Sequence, residues 1–488
     1  MSAPGNDLLD TPLAGPAAIR GGALRVLGYG ASVLLSVVSA ALLFRHLGVV
    51  DSGRYVLVFS LVTIVQGLTE AGITAIGTRE LSVRTGPDRE RLIKNLLGMR
   101  LVLTVTGVAL AVLFTVVAGY EGVLVAGTAL AGFGLVIQNL QTTLALSLMS
   151  GLRLGWVAAL DLLRQFIVSI LIVALVIAGA TLLAFLATPI PAAIVVLLLT
   201  ALLVRSDVPV SPSFEGREWL ALARETASFA VAAAVNVVYF RIAVVLVSLL
   251  ASGTQTGYFG ASFRIIEVLV LVPAVMVGAA FPIFARAARD DHERLRYALQ
   301  RTFEAATIGG VGLALALALG ASFAIDVIAG AGFGPAKEVL RLQALSFIGS
   351  FPAAVFGYAL LSLRRHRELL YVNLGLLAMT AALVSVLALA DGARGAAIGT
   401  AAGEITLALA LGLALSRAAP QLRPSLAVLP KVALAGAAGA TVAFLPLSSL
   451  AMAIAGSVVF FAVLLLVRGI PEELIVELRR FARREAVA

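Results

Sequence analysis

The sequence predicts an all-α polytopic membrane protein with about fourteen transmembrane helices. They are expected as two pseudo-symmetric six-helix bundles followed by two further helices. Three observations predict this. Of 488 residues, 60% are hydrophobic and 13% are charged, whereas a soluble domain is about half apolar and a quarter charged. The apolar residues fall in runs of about 20, the length that crosses a hydrocarbon core. The lysines and arginines gather on one side of the resulting topology, as the positive-inside rule requires. A cytosolic enzyme, a disordered chain and a fibrous protein are thereby excluded. The +9 balance of 36 Lys+Arg over 27 Asp+Glu would suggest nucleic acid in a soluble chain. Here it reads as topology, and no nucleic-acid partner is expected.

In chain order, residues 1–22 are small and polar, with no basic residue before Arg20, and read as a disordered cytoplasmic tail. The following apolar run exceeds the roughly 7–15 residues of a signal-peptide core, so it is expected to be retained. Spans at 24–44, 55–77, 97–118, 123–150, 157–178 and 181–204 make an N-terminal bundle, 23–204. Residues 205–219, with Pro209 and Pro212, read as a cytoplasmic linker. Spans at 220–250, 257–285, 300–328, 338–362, 368–390 and 394–416 make the second bundle, 220–416. Spans 426–446 and 449–468 are two additional helices within 417–470. Residues 471–488 read as a cytoplasmic amphipathic tail, with Pro471 and two acids first and arginines later, the order a helix dipole favours.

An even span count puts both termini on one side. With that side cytoplasmic, 29 of the 36 Lys+Arg lie inside, five outside, and two, Arg241 and Arg264, within spans. The inner set includes the dense runs from Arg84 to Arg100 and from Arg286 to Arg301. Cysteine is absent, and the three histidines are far apart. No thiolate or His-cluster metal site, P-loop or catalytic constellation is present. The chain is therefore read as no enzyme, with no cofactor.

Two outer turns share a design: Leu47–Tyr55 and Leu250–Tyr258 each place a glycine before an aromatic residue, and the glycines are 204 positions apart. Such internal repeats are common in secondary transporters. Leu47–Tyr55, followed by Gly67-Leu68-Thr69-Glu70-Ala71-Gly72 and Arg79-Glu80-Leu81, resembles the opening of bacterial polysaccharide-unit flippases. So does Val238-Tyr239-Phe240-Arg241-Ile242, followed by Thr256-Gly257-Tyr258-Phe259 and Phe263-Arg264-Ile265-Ile266-Glu267. Gly332-Phe333-Gly334-Pro335-Ala336 and the run Gly392–Thr400 are similar to that family too. The family belongs to the multidrug/oligosaccharidyl-lipid/polysaccharide exporter superfamily. The resemblance covers about residues 20–416. It implies flipping of an undecaprenyl-pyrophosphate type lipid-linked oligosaccharide across the cytoplasmic membrane, by alternating access between two bundles. The implied partners are that lipid, membrane lipids, glycosyltransferases and a polysaccharide polymerase.

Ionisable residues within spans are costly and point to cavities or partners. Arg241 lies ten residues before Ala251, about 15 Å from the outer end of its span. Its planar fork suits a pyrophosphate; the alternative is an arginine locked to a carboxylate. The family often has an acid two residues later, and here that position is Ala243. Arg264 and Glu267 share a helix face, either as a self-neutralising pair or with Glu267 as an ion-coupling group. Glu404 and Glu70 are weaker coupling candidates. Gln138 and Asn139, like Asn236 and Tyr239, could line a saccharide path or bond helix to helix. Arg45 and Arg54 flank the first outer turn, where they could receive a phosphate or snorkel to headgroups. A multidrug/cation antiporter is the competing transporter reading, but it calls for acidic cavities. A lipid II flippase shares the carrier and pyrophosphate. A glycosyltransferase or polymerase would need long outer loops, which this chain lacks.

Overall fold

All regular structure among the described residues is helical. The computed structural model describes residues 14–70, 72–209 and 211–470, with side chains from residue 28 onward except 221, 223 and 225–229. Residues 1–13 of the expected N-terminal tail and the whole amphipathic tail at 471–488 lie outside the described residues. From Ala14 the chain is already helical, inside the segment expected to be disordered.

Eleven helices are long and apolar enough to cross a membrane among the described residues. Two of these are hairpins of two spans each. The first, α1 (Ala14–Glu70), leaves helical geometry at Gly48, with φ 71° and ψ −172°. Its first half runs parallel to a later helix: Gly28 lies beside Ala158, Ser39 donates to Ser169 at 2.8 Å, and His46 meets the Ala180 carbonyl at 2.8 Å. Its second half runs back, with Arg54 at Glu121, Val65 beside Gly107 and Glu70 at Arg100. The second hairpin, α14 (His366–Ala418), breaks at Asp391 and at Gly392, where φ is 52°. A positive φ is cheap only without a Cβ, which is why glycine stands at both bends. With the shorter apolar helix at Val428–Phe444, these give the fourteen spans that the apolar runs predict.

The other helices are α2 (Ile73–Val83), α3 (Gly86–Val117), α4 (Gly122–Ser150), α5 (Leu154–Ile177), α6 (Leu182–Leu186) and α7 (Pro189–Val204). Then come α8 (Gly216–Leu250), α9 (Gly253–Leu269), α10 (Leu271–Asp290), α11 (His292–Ile328), α12 (Ala336–Ala344) and α13 (Ser346–Ser362). After α14 follow α15 (Val428–Ala440) and α16 (Ser449–Leu466). Several spans differ in detail from the apolar runs. Helices α3 and α8 begin before their runs, because helical hydrogen bonding does not stop where hydrophobicity does. The span at 181–204 breaks before Pro189, which has no N–H to continue a helix. The span at 257–285 steps at Val270, where the Pro273 ring would crowd the Leu269 carbonyl. Helix α2 occupies part of the expected inner loop, burying Ile73, Gly77 and Leu81 at fourfold spacing.

The chain divides into two compact units, one reaching to Val245 and the other starting at Leu246. In the first, α4 packs against α1, α2, α3 and α7, and α1 lies along α5. In the second, α11 packs against α10, α12, α13, α15 and α16, so the last two spans are built into this unit. The α14 hairpin closes backbone to backbone. Gly395, Gly399 and Gly403 face Leu387, Val384 and Thr380, and a Cβ on Gly399 would lie 3.0 Å from the Val384 Cα. Small residues at fourfold spacing allow such approach between membrane helices.

Residues 211–215 form a strap docked on α3. The Ser213 N–H donates to the Lys94 carbonyl at 2.9 Å and the Glu215 N–H to Asn95 Oδ1 at 3.1 Å. Asn95 donates in turn to Glu218 at 2.7 Å, while Arg91 pairs with Glu215 and with Glu218. The Ser213 carbonyl sits where a Cβ on Gly98 would be, and Trp219 packs alongside. Hydrogen bonds from Arg91 and then Asn95 hold the exposed Glu215 carboxyl below its ordinary value.

Two outcomes are expected. Gly399→Leu overpacks the α14 hairpin and lowers stability by about 1–3 kcal/mol, read by thermal unfolding of the purified protein. A carboxyl with a depressed pKa contributes above its unfolded value and loses that contribution as pH falls through the folded one. Trp219 fluorescence, in a Trp156→Phe background, should therefore hold steady through the usual carboxylate range and change only below it. In Asn95→Ala the change should move to higher pH.

Candidate functional site

Four helices of the first unit meet at one buried arginine. Helix α1 ends at Glu70, Gly72 turns the chain with φ 81° and ψ 0°, and α2 starts at Ile73. The Glu70 carboxylate accepts the Thr74 N–H at 3.2 Å. It thus serves the unsatisfied donors at the start of α2, where the helix dipole favours negative charge. Its other oxygen pairs with the Arg100 guanidinium from α3. The Arg100 side chain is 1% exposed and that of Glu70 is 38% exposed. The pair therefore sits at a boundary, with the cation inside the packing and the anion facing out of it.

Asn139, on α4, completes the network. Its carbonyl oxygen accepts from Arg100 at 3.4 Å, a long contact. Its amide nitrogen donates to Thr69 at 3.2 Å and to Thr104 at 2.9 Å. Thr104 donates to the Arg100 carbonyl at 2.7 Å, and Thr69 to the Val65 carbonyl at 2.9 Å. Arg100 spends only Nη2 on these partners. Its Nε and Nη1 are buried with no hydrogen-bond partner among the described residues.

Arg100, which the charge count groups with the inner basic run, is buried within α3. The residue follows buried Leu96, Leu97 and Met99 and falls inside the predicted span 97–118. An arginine already flanked by apolar residues was the available signal. The structure brings Glu70 and Asn139 together through it. Asn139 is buried at 1% exposure with its amide engaged, so it bonds helices together in this structure. Gln141 does the same with Thr200 at 3.1 Å. Gln138 is half-buried.

The remaining candidates are not gathered at this point. Arg54 bonds Asp51 at 2.9 Å and Glu121 at 2.6 Å, so its charge is answered within the protein; Arg45 is exposed. Two further cations pair in the same way: Lys337 with Asp326 at 2.8 Å and Arg394 with Glu338 at 2.5 Å. On α8, Arg241 is half-buried with its guanidinium 5.6 Å from the Phe240 ring centroid, Tyr239 is half-buried and Asn236 is exposed. In the second unit, Arg264 donates to Glu267 at 2.6 Å. Glu404 is half-buried on α14, and its backbone lies against Gly349 of α13.

Residues 18–288, more than half of the chain, match the family described as "Polysaccharide biosynthesis protein". The chain belongs to this family. The polysaccharide biosynthesis match spans Glu70, Arg100, Asn139, Arg241 and Glu267, and leaves Glu404 outside it. No curated protein matches the chain. Among solved structures, it is similar to lipid II flippase MurJ in an inward closed conformation. That likeness has a TM-score of 0.73 at 13% identity, over 91% of this chain and 99% of that one. It is also similar to an inward-facing multidrug resistance MATE family transporter of the MOP superfamily, with a TM-score of 0.65 at 13% identity over 80% and 95%. A third likeness is a MOP superfamily transporter from Pyrococcus furiosus, with a TM-score of 0.56 at 16% identity over 83% and 96%. These identities establish a shared fold. The chain is thus a multi-pass membrane protein with the fold of MOP superfamily transporters.

The pair at the boundary predicts an asymmetry. Glu70→Leu strands a buried cation and should cost about 3 kcal/mol. Arg100→Met leaves a carboxylate that water reaches and should cost about 1 kcal/mol or less. Denaturant unfolding of both variants measures the difference; equal losses would contradict the burial argument.

Proposed function

We propose that the protein is a membrane transporter that flips an undecaprenyl-pyrophosphate type lipid-linked oligosaccharide across the cytoplasmic membrane, by alternating access and with both termini inside. The observation that carries this reading is the polysaccharide biosynthesis match over residues 18–288, on a fold shared with a lipid II flippase. The chemistry agrees. Arginine is the cation placed inside the spans, and its fork suits phosphate oxygens better than it suits a cationic drug. Arg241 is the substrate-facing contact in this reading, with Asn236, Tyr239 and Gln138 available to sugars. Ion coupling falls to Glu70, Glu267 or Glu404, and Glu70 is the one seen to link the start of α2 to a buried cation. Glycosyltransferases and a polymerase act before and after it.

Lipid II is the second reading, favoured by a likeness to MurJ that spans 99% of that chain. Vesicles containing the purified protein and a fluorescent polyprenyl-pyrophosphate oligosaccharide decide between them. The wild type should move the oligosaccharide lipid faster than lipid II, and Arg241→Ala should slow this at least tenfold. Equal rates for wild type and variant would remove Arg241 from the substrate path. A preference for lipid II would establish the second reading.

A further inference from the structure

We infer that Arg100 and the first turn of α2 form a phosphate-group site that the Glu70 carboxylate occupies in this conformation, and that the pyrophosphate of the transported lipid displaces it. The inference relies on the proposed transport function for the identity of that lipid.

The contacts of Glu70 are those an anionic ligand would make. One oxygen takes the Thr74 N–H at 3.2 Å, and the other takes Arg100 Nη2. A helix N-terminus beside a guanidinium is a general anion site. The carboxylate fills it incompletely. With one oxygen spent on the helix, it cannot also grip both edges of the arginine fork. Among the described residues, the N–H of Nε and the two of Nη1 have no partner in a side chain that is 1% exposed. Buried donors are rarely left so, and each costs free energy. A tetrahedral phosphate has oxygens enough for the helix turn and both edges of the fork at once. It also brings more negative charge than one carboxylate.

Access follows from the same geometry. Arg100 is sealed, whereas Glu70 is 38% exposed. An anion that reaches Arg100 from outside the packing therefore approaches on the Glu70 side. Glu70 then acts as a stand-in anion that keeps the buried cation neutralised until the ligand arrives.

The full-length protein in phosphatidylcholine nanodiscs tests this. Thermal unfolding is followed against inorganic pyrophosphate, with chloride at matched ionic strength as control. Glu70→Gln should respond to pyrophosphate at a concentration at least tenfold below that needed by the wild type. Adding Arg100→Gln to that variant should abolish the response. No gain in Glu70→Gln, or a gain that survives Arg100→Gln, overturns the site. If Glu70→Gln folds only with pyrophosphate present, the site is supported. If it folds in neither condition, Glu70→Asp carries the measurement. Its shorter arm cannot span Thr74 and Arg100, so at least a threefold gain is expected, and an unchanged response overturns the proposal. Discs doped with polyprenyl pyrophosphate should shift the titration to higher concentration, and discs doped with phosphatidylglycerol should not. Equal shifts overturn displacement by the carrier. Tight anion binding without oligosaccharide flipping would refute the transport reading and leave the site standing.

Discussion

A guanidinium inside packed helices is the constraint around which the first unit is arranged. Desolvating that charge is expensive unless an anion and hydrogen bonds compensate. Arg100 obtains both from three other helices: the carboxylate at the end of α1, the amide of Asn139 on α4, and the turn before α2 that lets Glu70 face both partners. The same contacts fix where α1 stops. Thr69 and Asn139 then tie α1, α3 and α4 together one step deeper. An ion pair of this kind contributes little net stability, but it makes one arrangement of helices much better than its neighbours.

Backbone proximity does for the second unit what polar bonding does for the first. Gly349 lies 2.3 Å, measured to a hypothetical Cβ, from the backbone of Glu404, and Gly439 and Gly456 similarly face each other's carbonyls. Water does not drive helices together within lipid, so close van der Waals contact between small residues has to. Helices α15 and α16 are joined in this way and seated on α11.

The span count was legible because a 20-residue apolar run has one cheap solution in lipid. Helix ends were less legible. Residues 86–96 and 216–219 are polar enough to read as loop, yet they continue the spans that follow. Helix α2 is short, and its apolar stripe is only three residues deep, so the arginine-rich composition around it dominated the reading. The strap was hidden for a different reason: Pro209 and Pro212 signal irregular backbone but cannot say whether that backbone docks. Only the carbonyl of Ser213 against Gly98 reveals it. At the site, Glu70 and Asn139 stood out as polar residues in apolar runs. Arg100 did not, because a charge-counting rule assigns an arginine near a span end to the loop by default.

The bends at Gly48 and Gly392 bear on how the chain is made. Neither leaves a loop between its two spans; helix runs into helix through one or two residues. A span emerging alone would have to hold its outer end in place while its partner was still being synthesised, with no slack between them. The two spans of each pair are therefore bound to behave as one hairpin. During biosynthesis the first and last such pairs of the two bundles are single insertion units, and a glycine at the tip decides whether the unit can fold back at all.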